Sequence, residues 1–450
     1  MTLLEHFKKI CSIPHPSGNE KELADYVEDF ARKRSLEVYR DKNNNLIITL
    51  PSKNSDKTVM LQAHTDMVFV ADDNTEELIK RPLELIEKDG YLSAKGTSLG
   101  ADDGTGMAIM LKLMEERPDP CPELQLIFTT EEETGLYGAK ALDKSLLRSD
   151  MLINLDIDDE GIAIIGSAGG RRIELTKPKD KCLTKQKAFK VKIDGLKGGH
   201  SGAEIHLDRY NSLKLMIELI KNVQAELCSI SGGSLENVIP SSCEATVICD
   251  EAKLRLEADK LIKNNTIESF SVTVSEAVTD EKLSDRSLIE LIAALPCGVL
   301  EWEADKSCVR TSANVAKADT DTNELKLLMS VRSSSDSEKE VLCERIKNIA
   351  NDFGFSYKDG ADYCGWAPKF GTDLQKAYIK AYESYVGSSP VLEPVHAGLE
   401  CSIIGQGRKN FDAISIGPNT KNIHSTKEAL EIASLERTYD VVKLMLGELK

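Results

Sequence analysis

The 450-residue sequence has few aromatic side chains for its length, and it has fewer basic than acidic side chains. Phenylalanine, tyrosine and tryptophan together make up 5% of the residues, and only two tryptophans are present. Lysine and arginine number 57 against 74 aspartates and glutamates, so the formal net charge is −17. Proteins that bind nucleic acid or anionic lipid usually present basic patches, and this charge disfavours both classes of partner.

Long apolar runs and paired cysteines are also missing. No stretch of about 18 apolar residues is present, which argues against a membrane span. The 11 cysteines include no C-x-x-C pair, a pattern typical of reduced thiols rather than of a disulfide framework. The first ten residues contain Glu5, Lys8 and Lys9 and show no signal-peptide core. We therefore expect a cytoplasmic protein.

Apolar residues make up 41% of the sequence and charged residues 29%, which is typical of a globular protein. Strand-like runs alternate with helical periodicities in the first part of the chain and again near its end, which favours an α/β sheet covered by helices. The predicted strands are Leu46–Leu50, Thr58–His64, Leu124–Thr130, Met151–Asp156 and Asp412–Gly417. The predicted helices are Glu20–Arg34, Gly104–Glu116 and Ser425–Glu448.

The middle of the chain has a different pattern, with half-buried strands followed by helices. The predicted strands are Ala188–Gly195, Phe270–Val274 and Leu325–Val331, and the predicted helices are Ser201–Val223, Lys282–Ala294 and Ser337–Ile349. A polar run at Lys177–Lys187 marks the entry of this segment, and Gly365–Pro368 marks its exit. The sequence thus predicts an α/β domain of residues 1–185 and 368–450, with an inserted α+β domain of residues 186–367.

Polar motifs stand at predicted strand ends, where open α/β sheets place their functional sites. The motifs are Gln62–Met67, Leu99–Gly106, Thr129–Gly135, Leu152–Asp156 and Gly417–Ser425. Each has an ordinary explanation by itself, such as a helix cap or a solvated turn. The coincidence of all five at strand ends is hard to attribute to chance.

Two histidines and three carboxylates from these motifs form a donor set that suits zinc: His64, Asp102, Glu133, Asp156 and His424. Three carboxylates and a hydroxide would balance two Zn²⁺ ions, and a shared Asp102 would hold the ions about 3.5–4 Å apart. Zinc lowers the pKa of its bound water towards about 7. The free carboxylate of Glu132 could accept the proton of that water and pass it to a leaving amine. These residues predict metal-assisted amide hydrolysis.

The motifs, in this order, resemble those of the dinuclear-zinc metallopeptidases, which include carboxypeptidase G-like enzymes, tripeptidase T and succinyl-diaminopimelate desuccinylases. Within that family the aminoacyl-histidine dipeptidase branch is the most similar. The resemblance extends over essentially the whole chain. The segments typical of the branch are Gly198–Gly202, Asn237–Pro240, Ser330–Ser334 and His396–Cys401.

The resemblance implies a mixed-sheet di-zinc catalytic domain with an inserted lid that also forms a homodimer. It assigns one zinc to His64 and Asp156 and the other to Glu133 and His424. Asp102 would bridge the two ions, and its peptide bond to Asp103 would be cis. Two Zn²⁺ per subunit are expected, with Co²⁺ or Mn²⁺ as substitutes.

Further roles follow from the same resemblance. Asp66 would orient His64, and Glu132 would be the general base. His200 would polarise the scissile carbonyl, in relatives often across a dimer. Asn237 and Arg332 would bind the terminal carboxylate of the substrate, and His396 would contact substrate. Three of these residues also have a non-catalytic explanation. His200 could be an ordinary turn residue, Arg332 a solvated charge at the end of a strand, and His396 a residue that forms a structural hydrogen bond.

The resulting hypothesis is a dipeptidase that hydrolyses small unblocked dipeptides of the Xaa-His type. One alternative is a related N-acyl amino acid amidohydrolase or a tripeptidase. Another is a peptide-binding protein that keeps the fold without the chemistry.

Overall fold

The computed structural model describes residues 1–52, 55–73, 75–303, 306, 308–320 and 323–449. The chain forms two units. The first consists of Met1–Gly166, Ala367–Pro394 and Leu399–Lys450. The second consists of Ser167–Trp366 and Val395–Gly398.

The first unit is built on an eight-stranded sheet. Its strands in spatial order are Glu37–Arg40, Leu46–Leu50, Glu123–Thr129, Thr58–His64, Met151–Asn154, Asp412–Ser415, Ile162–Ser167 and Val391–Val395. The third to the sixth of these strands are parallel to one another. Because parallel strands end at one edge of a sheet, the residues that follow these four strands come close together.

The longer helices of the first unit bury apolar side chains in one core. They are Leu3–Cys11, Lys21–Arg32, Ala101–Glu115, Asp373–Val386 and Ile432–Glu448. Shorter helices are Thr75–Leu78, Tyr137–Ala141 and Glu400–Gly405. Thr2 begins the first helix with a capping box to Glu5, and Thr372 begins another with Gln375. A short 3₁₀ turn at Lys144–Leu146 and a four-stranded sheet complete the unit. That sheet has the strands Leu85–Lys88, Tyr91–Ala94, Thr420–Lys421 and Ala429–Glu431.

A nine-stranded antiparallel sheet forms the second unit. Eight strands lie in the order Ser271–Ala277, Ala188–Asp194, Cys243–Ile248, Glu226–Gly232, Val309–Asp319, Glu324–Ser333, Gly169–Pro178 and Ser356–Tyr363, and Gly298–Trp302 pairs with Val309–Asp319. The helices are Ser212–Val223, Glu251–Asn264, Ser287–Ala294 and Asp336–Asp352, with a 3₁₀ turn at Ile205–Leu207. Two small ladders pair Lys181–Leu183 with Glu281–Leu283 and Gly199–His200 with Val238–Ile239. This unit has a separate apolar core that includes Ile173, Phe189, Leu215 and Ile346.

The predicted strands of both units are confirmed to within a few residues, but three predicted helices start too early. Asn211 caps its helix by accepting from the N–H groups of Leu213 and Lys214, so that helix starts at Ser212 and not at Ser201. The segment predicted to begin a helix at Lys282 instead pairs as a strand with Lys181–Leu183. The last helix starts at Ile432 and not at Ser425, because Ala429–Glu431 pairs with Tyr91–Ala94.

The boundaries of the inserted segment also differ from the prediction. The second unit begins at Ser167 and not at residue 186, because Gly169–Pro178 pairs with Glu324–Ser333 inside its sheet. His396, expected in the larger domain, belongs to this second unit. The Ala168 N–H lies 3.2 Å from the Val395 carbonyl oxygen and 3.1 Å from that of Ala397, which ties the His396 segment to this sheet.

Across the described residues, no helix has both the length and the apolar composition that crossing a lipid bilayer requires.

Candidate functional site

His64 is the last residue of the strand Thr58–His64 and Asp66 follows that strand; both side chains are almost completely buried. The His64 Nδ1 lies 3.0 Å from the Asp66 carbonyl oxygen and 3.5 Å from Asp66 Oδ1. The Asp66 carboxylate also accepts hydrogen bonds from the Glu132 and Glu133 N–H groups, at 3.0 and 3.3 Å. Asp66 therefore holds the imidazole and the acidic turn in one arrangement, and the His64 Nε2 remains available as a ligand.

Asp102 lies between the two predicted histidine ligands. Its Oδ1 is 2.9 Å from His64 Nε2, and its Oδ2 is 3.2 Å from His424 Nε2. The helix Ala101–Glu115 positions Asp102 in its first turn, and the peptide bond from Asp102 to Asp103 is cis, as the resemblance implied. One carboxylate thus presents an oxygen atom to each imidazole.

The remaining predicted ligands complete two groups around these histidines. Asp156 Oδ1 lies 3.5 Å from His64 Nε2, and Glu133 Oε1 lies 2.8 Å from His424 Nε2. His64 also lies in a possible ligand group with Glu132 and Glu133. All five predicted ligands therefore meet at the carboxyl edge of the parallel strands.

Asp103 is a further acid at this edge, where one of its carboxylate oxygens lies within 4.8 Å of ligand atoms of His64 and Asp156. Its carboxylate accepts hydrogen bonds from the His64 N–H at 3.2 Å and from the Gly106 N–H at 3.0 Å. A Cβ atom at Gly106 would lie 2.5 Å from Asp103 Oδ1, so glycine is required there. Asp103 anchors the end of the His64 strand to the helix that carries Asp102.

The electrostatics of the edge are those of a cation site. Burial alone would lower the pKa of His64, but the charges of Asp156, Asp102 and Asp66 outweigh burial and raise that pKa well above its usual value. Hydrogen bonds to Asp102 and Glu133 raise the pKa of His424 to about 11. Within the described residues, no lysine or arginine pairs with any of the predicted carboxylate ligands.

Burial raises the pKa of Glu132 and of Asp156 well above the usual carboxyl range, and neighbouring carboxylates add to the effect. Uncompensated acids of this kind are stabilised by divalent cations. The donor set of imidazole and carboxylate atoms fits zinc and related metals, so the residues present match the metal group that the resemblance implies.

Two buried glutamates that the sequence analysis did not single out as site residues support this edge. Glu400 accepts from Gln62 Nε2 at 2.5 Å and from the Thr129 hydroxyl at 2.6 Å, and burial raises its pKa to about 7. Glu428 accepts from the N–H groups of Leu99, Gly100 and Ala101, at 2.7, 3.2 and 2.8 Å. Glu400 could have been noticed in the sequence, because it is an acid at the start of the apolar helix Glu400–Gly405. No feature of the local sequence distinguishes Glu428.

A second cluster, in the second unit, contains His200, Arg332 and His396. A Cβ atom built on Gly202 would lie 2.5 Å from the His396 carbonyl oxygen, 3.0 Å from His200 Cε1 and 3.1 Å from Arg332 Cζ. Gly202 therefore lies where these three residues meet. Asn237 is exposed in the adjoining turn, and its carbonyl accepts from the Ser201 N–H at 2.7 Å.

The tautomer of His200 follows from its hydrogen bonds. Its Nδ1 accepts from the Ala203 N–H at 2.9 Å and from the Gly202 N–H at 3.3 Å. In the neutral ring the proton is therefore on Nε2. Burial, with the positive charge of Arg332, lowers the pKa of His200 to about 4. At neutral pH this imidazole is an uncharged donor through Nε2–H.

Arg332 is buried without a counter-ion. It is 7% exposed, no described carboxylate forms an ion pair with it, and its Nε has no hydrogen-bond partner. Its Nη1 donates to the Tyr363 hydroxyl at 2.8 Å. His396 Nε2 lies 2.8 Å from the Ser312 hydroxyl oxygen, and burial together with the charge of Arg332 lowers the pKa of His396 to about 3. A buried, unpaired guanidinium is suited to binding an anionic group.

The fold and the site define a metallopeptidase-like architecture, and the sequence comparison agrees. Residues 60–448 match the sequence model of peptidase family M20/M25/M40. The chain belongs to this family.

Individual relatives make the similarity more specific. The cytosol non-specific dipeptidase of Escherichia coli (strain K12) is 31% identical over 474 residues, which cover 99% of this chain and 97% of that protein. The crystal structure of aminoacylhistidine dipeptidase from Vibrio alginolyticus has a TM-score of 0.88 and 29% identity, over 99% of this chain and 96% of that one. A Bacillus cereus aminopeptidase, PepT, shares the fold with a TM-score of 0.61 at 17% identity, over 99% and 98% of the two chains. The predicted fold class and the predicted family are confirmed.

Proposed function

We propose that the protein is a metal-dependent dipeptidase that hydrolyses unblocked dipeptides, including those of the Xaa-His type. The observation that carries this proposal is the placement of Asp102, whose two carboxylate oxygens face the Nε2 atoms of His64 and His424. One carboxylate facing two imidazoles is the arrangement that a two-metal hydrolase needs.

In this proposal His64 and Asp156 would hold one ion, Glu133 and His424 would hold the other, and Asp102 would contribute to both groups. Bound zinc would supply Lewis acidity, which polarises a carbonyl group and makes water a stronger acid. Zinc is the proposed resident metal, because imidazole and carboxylate ligands suit it, and Co²⁺ or Mn²⁺ are the proposed substitutes.

The residues of the chain carry the proton and hold the substrate. Glu132 accepts a proton from the water that adds to the peptide carbonyl carbon, and it returns that proton to the amine nitrogen as the C–N bond breaks. A raised pKa makes the ionised Glu132 carboxylate a stronger base for the first of these steps. Asp66 orients His64.

The cluster of the second unit is proposed to bind the rest of the substrate. His200 donates its Nε2–H to the carbonyl oxygen, where negative charge develops during the attack of water. Arg332 and Asn237 bind the terminal carboxylate, for which the unpaired guanidinium supplies charge and a planar pair of donors. His396 contacts the substrate close to Arg332.

The first test is the release of free amino acids from Ala-His, β-Ala-His, Gly-Gly, a tripeptide and an N-acetyl amino acid, with added zinc and after chelation. Chelator-sensitive cleavage of only the unblocked dipeptides is the expected result. Cleavage of only the acetylated compound would make the protein an amidohydrolase, and cleavage of the tripeptide alone a tripeptidase. No turnover by metal-loaded protein would favour a peptide-binding role.

Substitution of Glu132 tests the proposed base. Glu132→Gln is expected to lower kcat by about 10²–10⁴-fold, because general-base catalysis is lost. The matched control is Glu131→Gln, which changes the preceding acid of the three consecutive glutamates and leaves the proposed base and ligands unchanged. Equal activity of the Glu132→Gln variant and the wild type would refute the assignment.

Two further properties are proposed with this function. The protein acts in the cytoplasm, in line with the name of its Escherichia coli relative. It forms a homodimer through the second unit, whose sheet ends in the alternately exposed strand Ser271–Ala277. Light scattering that gives the mass of a single chain would contradict the dimer.

A further inference from the structure

Four residues form a row across the sheet of the second unit. The strand pairing places Ser312 opposite Arg332, Arg332 opposite Gly170, and Gly170 opposite Tyr363. Directly opposed residues of an antiparallel sheet project to the same face. The side chains of Arg332 and Tyr363 therefore lie on the same face of the sheet. The strand between them has Gly170 at this position, and a glycine has no side chain to fill the space.

The glycine is what allows the two side chains to meet. Neighbouring strands lie about 4.8 Å apart, so Arg332 and Tyr363 start roughly 10 Å from each other. The Tyr363 ring lies across Gly170, where an added Cβ atom would be 2.5 Å from Tyr363 Cζ. Gly398 makes room for the ring on another side, since a Cβ atom added at Gly398 would lie 2.6 Å from Tyr363 Cε2. The ring lies in a slot bounded by two glycines, and its hydroxyl meets the Arg332 Nη1 at 2.8 Å.

The choice of a phenol as the partner has a chemical consequence. A carboxylate at this point would neutralise the guanidinium and would compete with an anionic ligand. A neutral hydroxyl fixes the orientation of the guanidinium and leaves its charge uncompensated. Arg332 Nε is buried and has no hydrogen-bond partner among the described residues, so donor capacity remains for a ligand.

We infer that Tyr363 is a positioning residue, which holds the Arg332 guanidinium ready for the carboxylate of a dipeptide, and that Gly170 and Gly398 provide the space for its ring. This inference rests on the proposed function. It adds that selection for a free carboxyl terminus depends on a hydroxyl that does not touch the substrate.

The test compares Ala-His with its carboxyl-terminal amide in the metal-loaded full-length protein. Tyr363→Phe removes the hydroxyl and keeps the ring. We expect it to raise KM for Ala-His by about 10-fold, the effect of losing one hydrogen bond to a charged group, with kcat nearly unchanged. KM for the amide should stay as in the wild type. A purely structural role would affect the acid and the amide alike.

Two variants make the comparison specific. Tyr357→Phe is the matched control, because it removes a hydroxyl from the same strand, where Tyr357 donates to Asp359 Oδ1 at 2.7 Å. It should leave both KM values unchanged. Gly170→Ala should reproduce the loss of Tyr363→Phe, because the added methyl group displaces the ring. The φ of Gly170 is outside the left-handed region, so alanine is compatible with the backbone there.

The possible results separate the two hypotheses. A wild type that prefers the acid, with a Tyr363→Phe variant that keeps the same preference, would overturn the role of Tyr363 and leave the proposed function intact. A wild type that cleaves acid and amide equally well would overturn the binding of the carboxylate by Arg332, and this inference with it. A wild type that cleaves neither compound would overturn the proposed function itself. If Gly170→Ala does not fold, Tyr363→Phe alone decides.

Discussion

Replacement of Glu428 by glutamine should weaken metal binding without removing any ligand. Glu428 is 2% exposed, and it follows His424 in the segment that leads to the last helix. Its Oε2 accepts from Leu99 and Gly100, and its Oε1 accepts from Ala101. One carboxylate thereby ties the His424 segment to the start of the helix that carries Asp102.

The expected magnitude follows from these three bonds. Glutamine has a single acceptor oxygen, so its NH₂ group must face at least one of the N–H donors. A buried donor left unpaired costs about 1–3 kcal/mol, and the negative charge that favours a helix N-terminus is lost as well. We expect the free energy of unfolding of the metal-free protein to fall by about 2–4 kcal/mol. Zinc affinity should fall by about 10–100-fold, as is usual when a partner behind the ligands is removed.

The assay has two parts, urea unfolding of the metal-free protein and zinc competition against a chromophoric chelator. Glu431→Gln is the control, because Glu431 lies on the adjoining strand and bonds to Asn419 and Arg437, away from the ligands. Its zinc affinity should equal that of the wild type. Unchanged zinc affinity in Glu428→Gln, alongside the expected loss of stability, would refute the reasoning, because Glu428 would then stabilise the fold without shaping the site.

Three other predictions follow from the structure. The pKa of His396 is lowered to about 3, so below pH 6.5 the unfolded chain binds a proton that the folded chain does not; this group alone should lower the free energy of unfolding by about 1.4 kcal/mol per pH unit between pH 6.5 and 3. His200 adds a slope of the same sign, so His396→Gln should reduce the slope by the His396 share, as urea unfolding at pH 7, 6 and 5 would reveal. His200→Ala should lower kcat by about 10²–10³-fold through loss of the Nε2–H donor, whereas an unchanged kcat in steady-state assays would contradict that role. Zinc at 100 times its Kd should stabilise the folded chain over chelated protein by about 2.7 kcal/mol for each ion bound, and calorimetry that finds no shift in Tm would count against a metal site.

The parallel strands could be predicted because each is a continuous apolar run followed at once by polar residues. Among them, Thr58–His64 has the predicted bounds, and its burial is nearly complete. The predicted ligands His64, Glu133 and Asp156 come from the same pattern, since the ends of parallel strands converge at one edge of a sheet. The local sequence pattern was sufficient to predict a strand end wherever a buried apolar run is followed directly by polar residues.

Features that depend on partners far apart in sequence could not be predicted in this way. Glu428 bonds to Leu99 across 329 positions, and nothing in the local sequence points to that pairing. Tyr363 meets Arg332 only because Gly170 lies between their strands. The helix predicted from Ser425 was wrong at its start, because pairing with Tyr91–Ala94 draws Ala429–Glu431 into a strand.

The order of strands in the first unit has a consequence for synthesis of the protein. Asp412–Ser415 lies between Met151–Asn154 and Ile162–Ser167, although the ribosome makes it last. At about 5–20 residues per second, the roughly 250 residues between Asn154 and Asp412 take on the order of 10–50 s to translate. During that interval the emerging chain contains the whole Ser167–Trp366 segment, while the sheet of the first unit still lacks Asp412–Ser415 between its neighbouring strands. His424 follows His64, Asp102 and Glu133 in the sequence, so a nascent chain has no complete set of the proposed ligands until His424 has been made.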